Sequence, residues 1–332
     1  MYTAKVWLIT GKNCAGGGSN RCIHIYDDII SLENLLEAWK EFLRGKRNKK
    51  DVQEFQLNLM DNIISLHNNL KNKTYTHGPY HAFNISDPKA SVRDRLLHHA
   101  IYRVLYPYFD KKFIHDSYSC RLNKGTHKAM ERFKHFSYKI SKNNTKQCWI
   151  LKCDIKKFFA SIDHNILLQI LKKHIGDKDV LWLLERIISS FHSNVSKGTL
   201  DTGLPLGNLT SQLLVNIYMN EFDQYIKHKL KIKYYIRYAD DFVVLCQEKD
   251  YLREIWRYIA IFFYEKLNLE LHPGKVFIKT LSSGIDFLGW VHFPHLKRLR
   301  ENSSQETKAS YLGMLKWGNT WNLKRALNEP SK

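Results

Sequence analysis

Residues 234–246 read YYIRYADDFVVLC, two apolar runs hinged on Ala239, Asp240 and Asp241. β-favouring residues on both sides of a short polar hinge predict a hairpin, although the hinge lacks the glycine such turns usually carry. The arms are too hydrophobic for a peripheral hairpin, which puts them inside a sheet. Arg237, beside the hinge, is read as solvent-facing. Upstream, CWILKCDI (148–155) is a second β-favouring run, and it too ends in a carboxylate, Asp154. Adjacent carboxylates in a tight turn repel each other unless solvent or a cation relieves them. A solvated turn is the ordinary explanation of an Asp-Asp pair; the apolar arms and the second acid-ended strand argue against it here. If the strand ends lie side by side, Asp154, Asp240 and Asp241 converge. Convergent hard oxygens suit Mg²⁺, which takes one or two carboxylates plus substrate phosphates. Two such ions roughly 3.5–4 Å apart can activate an attacking hydroxyl and stabilise the leaving oxygen of an in-line phosphoryl displacement.

Around this centre the predicted order is strand (148–155), helix behind Asp163 as N-cap, and a glycine-rich turn, KGTLDTGLPLGN. A long helix (LTSQLLVNIYMNEFDQYIKHKL), the hairpin, a helix through 250–267 and a strand in LELHPGKVFIKTL follow. That order fits an antiparallel sheet backed by helices, of the split βαβ kind, and hence an α+β fold. The first 145 residues read as helical. Amphipathic helices are predicted over IYDDIISLENLLEAWKEFLRGK and DVQEFQLNLMDNIISLHNNL, and a third over 91–113 with Ser91 as N-cap.

Across the 332 residues, 52 Lys and Arg against 32 Asp and Glu leave a formal charge of +20, with 13% aromatics. Such an excess points to a polyanion, above all nucleic acid. An anionic membrane would want one basic amphipathic helix, whereas here the charge is spread along the chain. It is densest in KEFLRGKRNKK (40–50), with Lys46, Arg47, Lys49 and Lys50, and in 121–146, with Arg121, Lys124 and Lys128. In the second stretch eight Lys and Arg face the single Glu131. With 44% hydrophobic and 25% charged residues, wholesale disorder and fibrous repeats are excluded. The longest apolar run, Tyr258–Tyr264, is far short of the ~20 residues that span a bilayer. No signal-peptide apolar region stands at the N-terminus, and six cysteines lack CxxC spacing. The chain is therefore expected to be soluble, reduced and cytoplasmic.

Several motifs taken together resemble the palm motifs of reverse transcriptases: YADD (238–241), the strand-ending Asp of LKCDIKKFFASIDH (151–164), and GLPLGNLTSQ (203–212). DPKASVRDRLLHHAI (87–101) and FIHDSYSCRLNKGTHKA (113–129) resemble the fingers motifs. LELHPGKVFIKT (269–280) is similar to the strand carrying a lysine, and GIDFLGW (284–290) to the primer-gripping turn. The resemblance covers about residues 30–320. It implies a right-hand polymerase fold with an N-terminal extension (1–26) and helical fingers (27–147). A ferredoxin-like palm (148–282) and a primer-grip turn with a small helical thumb (283–332) complete it, leaving no room for an endonuclease or RNase H domain. Ser211-Gln212 resembles diversity-generating retroelement enzymes rather than group II intron enzymes, which usually carry SP after PQG. The retron signatures NAxxH and VTG are missing.

What the resemblance implies for individual residues is specific. Asp154 and Asp240 would bind two Mg²⁺ ions (Mn²⁺ as a substitute), with Asp241 in support and the Ile155 carbonyl completing the shell. The amides of 155–159 would cradle a dNTP triphosphate beside Phe158. The Phe159 ring would exclude a ribose 2′-OH; a plain core aromatic is the alternative. Lys275 would protonate or neutralise the leaving pyrophosphate, and a merely exposed strand-end lysine is the alternative. Lys89, Arg93 and Arg95 would touch triphosphate or template, and Gly207 and Gln212 would line the nucleotide. Phe287, Leu288, Gly289 and Trp290 would grip a DNA or RNA primer on an RNA template, with a small basic accessory protein in attendance. Leu206 stands where accurate enzymes commonly carry Gln, and an apolar contact discriminates by only ~1–3 kcal/mol. That implies error-prone synthesis, unless Leu206 only packs under the following helix. Two departures stand out: PKASVRDR is contracted and lacks the family's triphosphate-clamping arginine, and the segment after FPHLKRLRENSS is short. The rival functions are a defence-associated (abortive-infection or unknown-group) or group II intron-like reverse transcriptase, and a catalytically impaired RNA-binding relative.

Overall fold

The computed structural model of the chain describes residues 25–82, 88–191 and 201–299; at 81–82, 88–89 and 298–299 only the backbone is described. Most of the expected N-terminal extension, the Lys89 side chain and the expected thumb beyond 299 lie outside the described residues. The chain opens with α1 (Tyr26–Ile30), α2 (Leu32–Phe42), α3 (Lys50–Leu57) and α4 (Leu59–Lys71). Then come β1 (His81–Ala82), β2 (Pro88–Lys89), α5 (Val92–Asp110), α6 (Thr126–Ile140), β3 (Trp149–Cys153), α7 (His164–His174) and α8 (Lys178–Ile188). The rest is α9 (Leu209–Gln224), β4 (Tyr235–Tyr238), β5 (Asp241–Cys246), α10 (Lys249–Leu267), β6 (Phe277–Thr280), β7 (Ile285–Phe287), β8 (Trp290–His292) and β9 (Lys297–Leu299). No described helix is long and apolar enough to cross a membrane.

Two of the expected helices are each broken into a pair. Ser31 ends α1 and caps α2, its Oγ donating to the Asp28 carbonyl and accepting the Asn34 N–H. Serine favours that role because its hydroxyl satisfies an otherwise unpaired amide of the first turn. Asn58 leaves helical geometry (φ −117°, ψ 42°) and divides α3 from α4. Ser91 caps α5 and Asp163 caps α7, as their spacing predicts. The sequence reading passed over α8, although Asp177 caps it by accepting the N–H groups of Asp179 and Val180.

Chain contacts divide the molecule into two compact units. The first takes the described residues up to Phe113, those from Lys157 to Glu221, and Leu267–Leu269. Here α2 and α5 are stitched by Asn34, whose Nδ2 donates to the carbonyls of Ile29 and Ala100 while its Oδ1 accepts from Arg103 Nε. The second unit takes Ile114–Lys156, Phe222–Lys266 and the described residues from Glu270 onward. Its centre is an antiparallel sheet of order β4-β5-β3-β6. That is the ferredoxin-like arrangement predicted. Alternate residues explain why the hairpin arms are apolar throughout. Ile150, Ile236, Val243 and Leu245 join Phe133, Phe136 and Ile140 of α6 and Phe287 of β7 in one buried cluster. On the other face Tyr235 and Phe242 pack against Phe222 and Phe263, with ring centroids 4.3–6.1 Å apart. A sheet covered on both faces needs apolar residues at both parities, and each fully buried Phe contributes roughly 1.5–3 kcal/mol.

The first unit hides a histidine chain. His98 Nδ1 lies 3.1 Å from Thr210 Oγ1, and its Nε2 lies 3.2 Å from His77 Nε2. Burial first, then the neighbouring His77, lowers the His98 pKa to about 3, and burial first, then Lys46, lowers His99 to about 4. Both groups titrate near 6.5 in the unfolded chain, which then takes up protons that the folded chain refuses. Their contribution is complete above pH 6.5 and is lost as the pH falls from there toward 3. Denaturant midpoints measured from pH 7 to 4 should fall steadily, and His98→Gln should flatten the slope; an unchanged slope in that variant would remove His98 from the account.

Candidate active site

Strand register assembles the acids. Antiparallel pairing sets Cys153 opposite Phe242 and Tyr238 opposite Asp241. Asp154, which follows Cys153, therefore emerges beside the β4–β5 turn made by Ala239 and Asp240. Ala239 takes φ +54° and so supplies the left-handed residue for which glycine is normally chosen. For an L-residue with a Cβ that conformation costs about 1–2 kcal/mol. The Asp154 backbone is pinned from β6's side: its carbonyl accepts the His272 N–H at 2.8 Å, and Ile155 bridges Leu271. The Lys156 N–H is spent on the Glu270 carbonyl, which withdraws it from the expected triphosphate cradle.

Two lysines lean on the acids. Lys275 Nζ lies 3.4 and 3.3 Å from the two Asp154 oxygens. Lys152 Nζ lies 3.3 Å from Asp241 Oδ2. Lys152 was missed in the sequence; its signal is the two-residue step to Asp154 along one strand. Burial first, then the Asp154 charge, pushes the Asp240 carboxyl above the usual carboxylate range. Burial carries Asp241 to about 7 against the pull of Lys152. Asp241 Oδ1 is buried with no hydrogen-bond partner. Among the described residues no three His, Cys, Asp or Glu side chains form a group that could hold a metal ion. Mg²⁺ asks for less, since substrate phosphates complete its shell. Mutually repelling carboxylates, an orphaned carboxylate oxygen and an ammonium resting on Asp154 fit a hard cation.

Arg237 corrects an expectation. It faces the interior, with no exposed surface. Its Nε and Nη2 form a fork on Asp223 Oδ1 and Oδ2 at 2.8 and 2.7 Å. Nη2 also reaches Ser117 Oγ at 3.1 Å, and Nη1 reaches the Ala239 carbonyl at 3.0 Å. A charged residue amid an otherwise apolar arm was the one local signal; its partner Asp223 lies among polar residues of α9 and gave none.

Apart from Lys275, the residues expected to meet the nucleotide belong to the first unit. Phe158 is buried and Phe159 half-buried. The Phe159 carbonyl accepts the Leu204 N–H at 2.8 Å, and that of Ile162 accepts Gly203 N–H, so the 201–207 loop is clamped to the 158–164 segment. Leu206 is 43% exposed, which sets aside the alternative that it packs under α9. Gly207 takes φ +86° with open space around a Cβ, so its conformation and not crowding calls for glycine. Gln212 is half-buried on α9. Arg93 donates to Asp94 and the Thr76 carbonyl, and Arg95 to Asp51, so both are already paired.

The basic stretches divide by role. Arg121 donates to the carbonyls of Ile114 and Ser117 and Lys124 to that of His115, holding their own loop together. Lys128, Arg47, Lys49 and Lys50 are exposed, while Lys46 stands 4.4 Å over the Phe42 ring. In the expected primer grip, Phe287 and Trp290 are core residues, and Phe287 packs 5.4 Å from Phe133. Leu288 packs against the same core from the turn, where Leu288 and Gly289 take φ +54° and +81°.

The family described as "Reverse transcriptase (RNA-dependent DNA polymerase)" matches residues 88–314. The chain belongs to the reverse transcriptase family. Membership implies a divalent-metal requirement in general, and the sheet with its acid-bearing turn is the family's palm. Among its curated relatives, Protein YkfC of Escherichia coli K12 is 26% identical over 235 residues, covering 60% of each chain. Group II intron-encoded protein LtrA of Lactococcus lactis is 23% identical over 260 residues, covering 59% of this chain and 42% of LtrA. A putative COX1/OXI3 intron 2 protein of Saccharomyces cerevisiae is 21% identical, covering 65% and 31%. The chain thus spans 60% or less of the length of these relatives. Among solved structures, a partial Cas6-RT-Cas1–Cas2 complex is similar at 21% identity and TM-score 0.43, covering 73% of this chain and 42% of that one. Telomerase from Candida albicans stands at 12% and 0.43, covering 64% and 39%.

Proposed function

We propose that this chain is an RNA-directed DNA polymerase that extends a DNA or RNA primer along an RNA template by two-metal nucleotidyl transfer. The observation that supports this reading is the strand register that brings Asp154 beside the Asp240–Asp241 turn, with Lys275 on Asp154. Two Mg²⁺ ions, with Mn²⁺ as substitute, would supply activation of the primer hydroxyl and charge relief at the leaving oxygen. Asp154 and Asp240 hold them, with the Ile155 carbonyl, while Lys152 keeps Asp241 in place. Lys275 neutralises or protonates the leaving pyrophosphate. Phe159 excludes the ribose 2′-OH, Gly207 and Gln212 line the dNTP, and Leu288-Gly289 meets the primer. Arg93 and Arg95 contact triphosphate or template only by exchanging their present carboxylate partners. Lys128, Arg47, Lys49 and Lys50 face the RNA.

The exposure of Leu206 supports an error-prone enzyme of the diversity-generating kind, working with a small basic accessory protein. A leucine neither donates nor accepts, so a mispaired nucleotide loses little against it. The second reading is a group II intron-like enzyme, favoured by relatives such as LtrA and the COX1 intron protein.

Primer extension on an RNA template tests the activity. The wild type should extend, and Asp240→Asn should lose at least about 10²–10³-fold, the scale of one missing electrostatic stabiliser; undiminished extension by the variant would refute the site. Sequencing the cDNA tests the subtype. Wild-type errors should cluster at template adenines, and Leu206→Gln should recover part of the accuracy. A low, unbiased wild-type error rate would instead support the intron-like reading.

A further inference from the structure

A buried ion pair is a poor way to stabilise a core. Desolvating both charges offsets most of their attraction, and apolar residues of similar volume often serve as well. Arg237 and Asp223 nevertheless sit fully buried at the end of the hairpin that carries the acids. What the guanidinium does that an apolar side chain cannot is donate in several fixed directions at once. Asp223 takes two of its donors, and Tyr235 Oη donates to the same Asp223 Oδ1 at 2.7 Å. The Arg237 backbone is fixed as well: its N–H donates to the Asp116 carbonyl, and its own carbonyl accepts the Tyr118 N–H. With the side chain thus anchored at both ends, Nη1 points at one more acceptor, the carbonyl of Ala239. That carbonyl belongs to the left-handed residue of the turn and is bonded directly to the nitrogen of Asp240.

We infer that Arg237 is a positioning residue: locked by Asp223, it holds the Ala239 carbonyl and thereby keeps a strained turn in the one conformation that aims Asp240 at the Asp154 side of the sheet. Without this bond Ala239 would relax toward right-handed or extended backbone, and the plane of the 239–240 peptide would rotate, carrying the Asp240 carboxylate with it. The turn contains no glycine because the neighbouring arginine supplies the restraint. A lysine at 237 would keep the charge and lose the fork.

The kinetic half of the test rests on the polymerase reading; the metal-binding half does not. Free Mn²⁺ is titrated against the 332-residue chain and followed by electron paramagnetic resonance, beside thermal unfolding and steady-state dNTP incorporation. In Arg237→Lys, assayed well below its melting point, Mn²⁺ affinity should fall several-fold. There kcat should fall about 10- to 100-fold, the range of coupling between neighbouring groups, while the dNTP KM stays within about threefold because Arg237 touches no substrate. Ala239→Gly should be near neutral alone, since Arg237 still holds the carbonyl. Added to Arg237→Lys it should restore part of the Mn²⁺ affinity and kcat, because glycine adopts positive φ at no steric cost. A merely structural arginine would lower the melting point and show no such rescue. Wild-type Mn²⁺ affinity and kcat in folded Arg237→Lys would overturn the inference, as would absence of rescue. If Arg237→Lys does not fold, Ser117→Ala loosens the Nη2 side alone: a two- to fivefold loss of Mn²⁺ affinity is expected, and an unchanged value overturns the inference. A wild type that incorporates nothing, with Mn²⁺ affinity still weakened by Arg237→Lys, would refute the polymerase reading and leave the inference standing.

Discussion

A buried guanidinium must be matched on every side, and in this protein that requirement ties together the parts around the acids. Arg237 takes its counter-charge from Asp223 near the end of α9, and its backbone and Nη2 partners from the 116–118 segment. Its last acceptor is the Ala239 carbonyl of the β4–β5 turn. The segment at 116–118 covers the outer edge of β4, which would otherwise present unpaired backbone groups. One side chain therefore closes a sheet edge, joins helix to strand and braces a strained peptide. Removing a partner would leave a buried charge unmatched, a far larger penalty than losing a surface contact.

The acids themselves are arranged at an energetic disadvantage. Asp240 and Asp241 are pushed upward by burial and by like charge. Two ammonium groups offset part of this, Lys152 on Asp241 and Lys275 on Asp154. Charge stored without full compensation is a frequent property of sites that work on a cation or a developing charge. The apolar packing on both faces of the sheet supplies the stability that this arrangement withholds.

Much of this was legible in the sequence because the signals were local. Strand-ending acids, the apolar arms at 234–246, and capping residues at Ser91 and Asp163 each act over a few positions, and family motifs in order located the palm. The missed features depend on pairings remote in sequence. Arg237 and Asp223 each look like a solvated charge until the fold places them together. Arg121 and Lys124 read as a basic patch, yet their donors turn inward to carbonyls of their own loop, an orientation that composition does not encode. Ser31 and Asn58 interrupt helices whose apolar periodicity runs through the break, so periodicity alone merged them. For Leu206, packing under the following helix was the alternative reading, and its exposure is visible only in the fold.

The central claim is that a braced turn presents Asp240 beside Asp154 for a catalytic cation. Its most direct test is a crystal structure with Mn²⁺, an RNA template, a primer and an incoming dNTP, using anomalous scattering to locate the ion. The account predicts Mn²⁺ on Asp154 and Asp240, Lys275 moved off Asp154, and Arg237 still donating to the Ala239 carbonyl. Mn²⁺ bound by other residues, or a turn that holds Asp240 on the metal with Arg237 released, would contradict it.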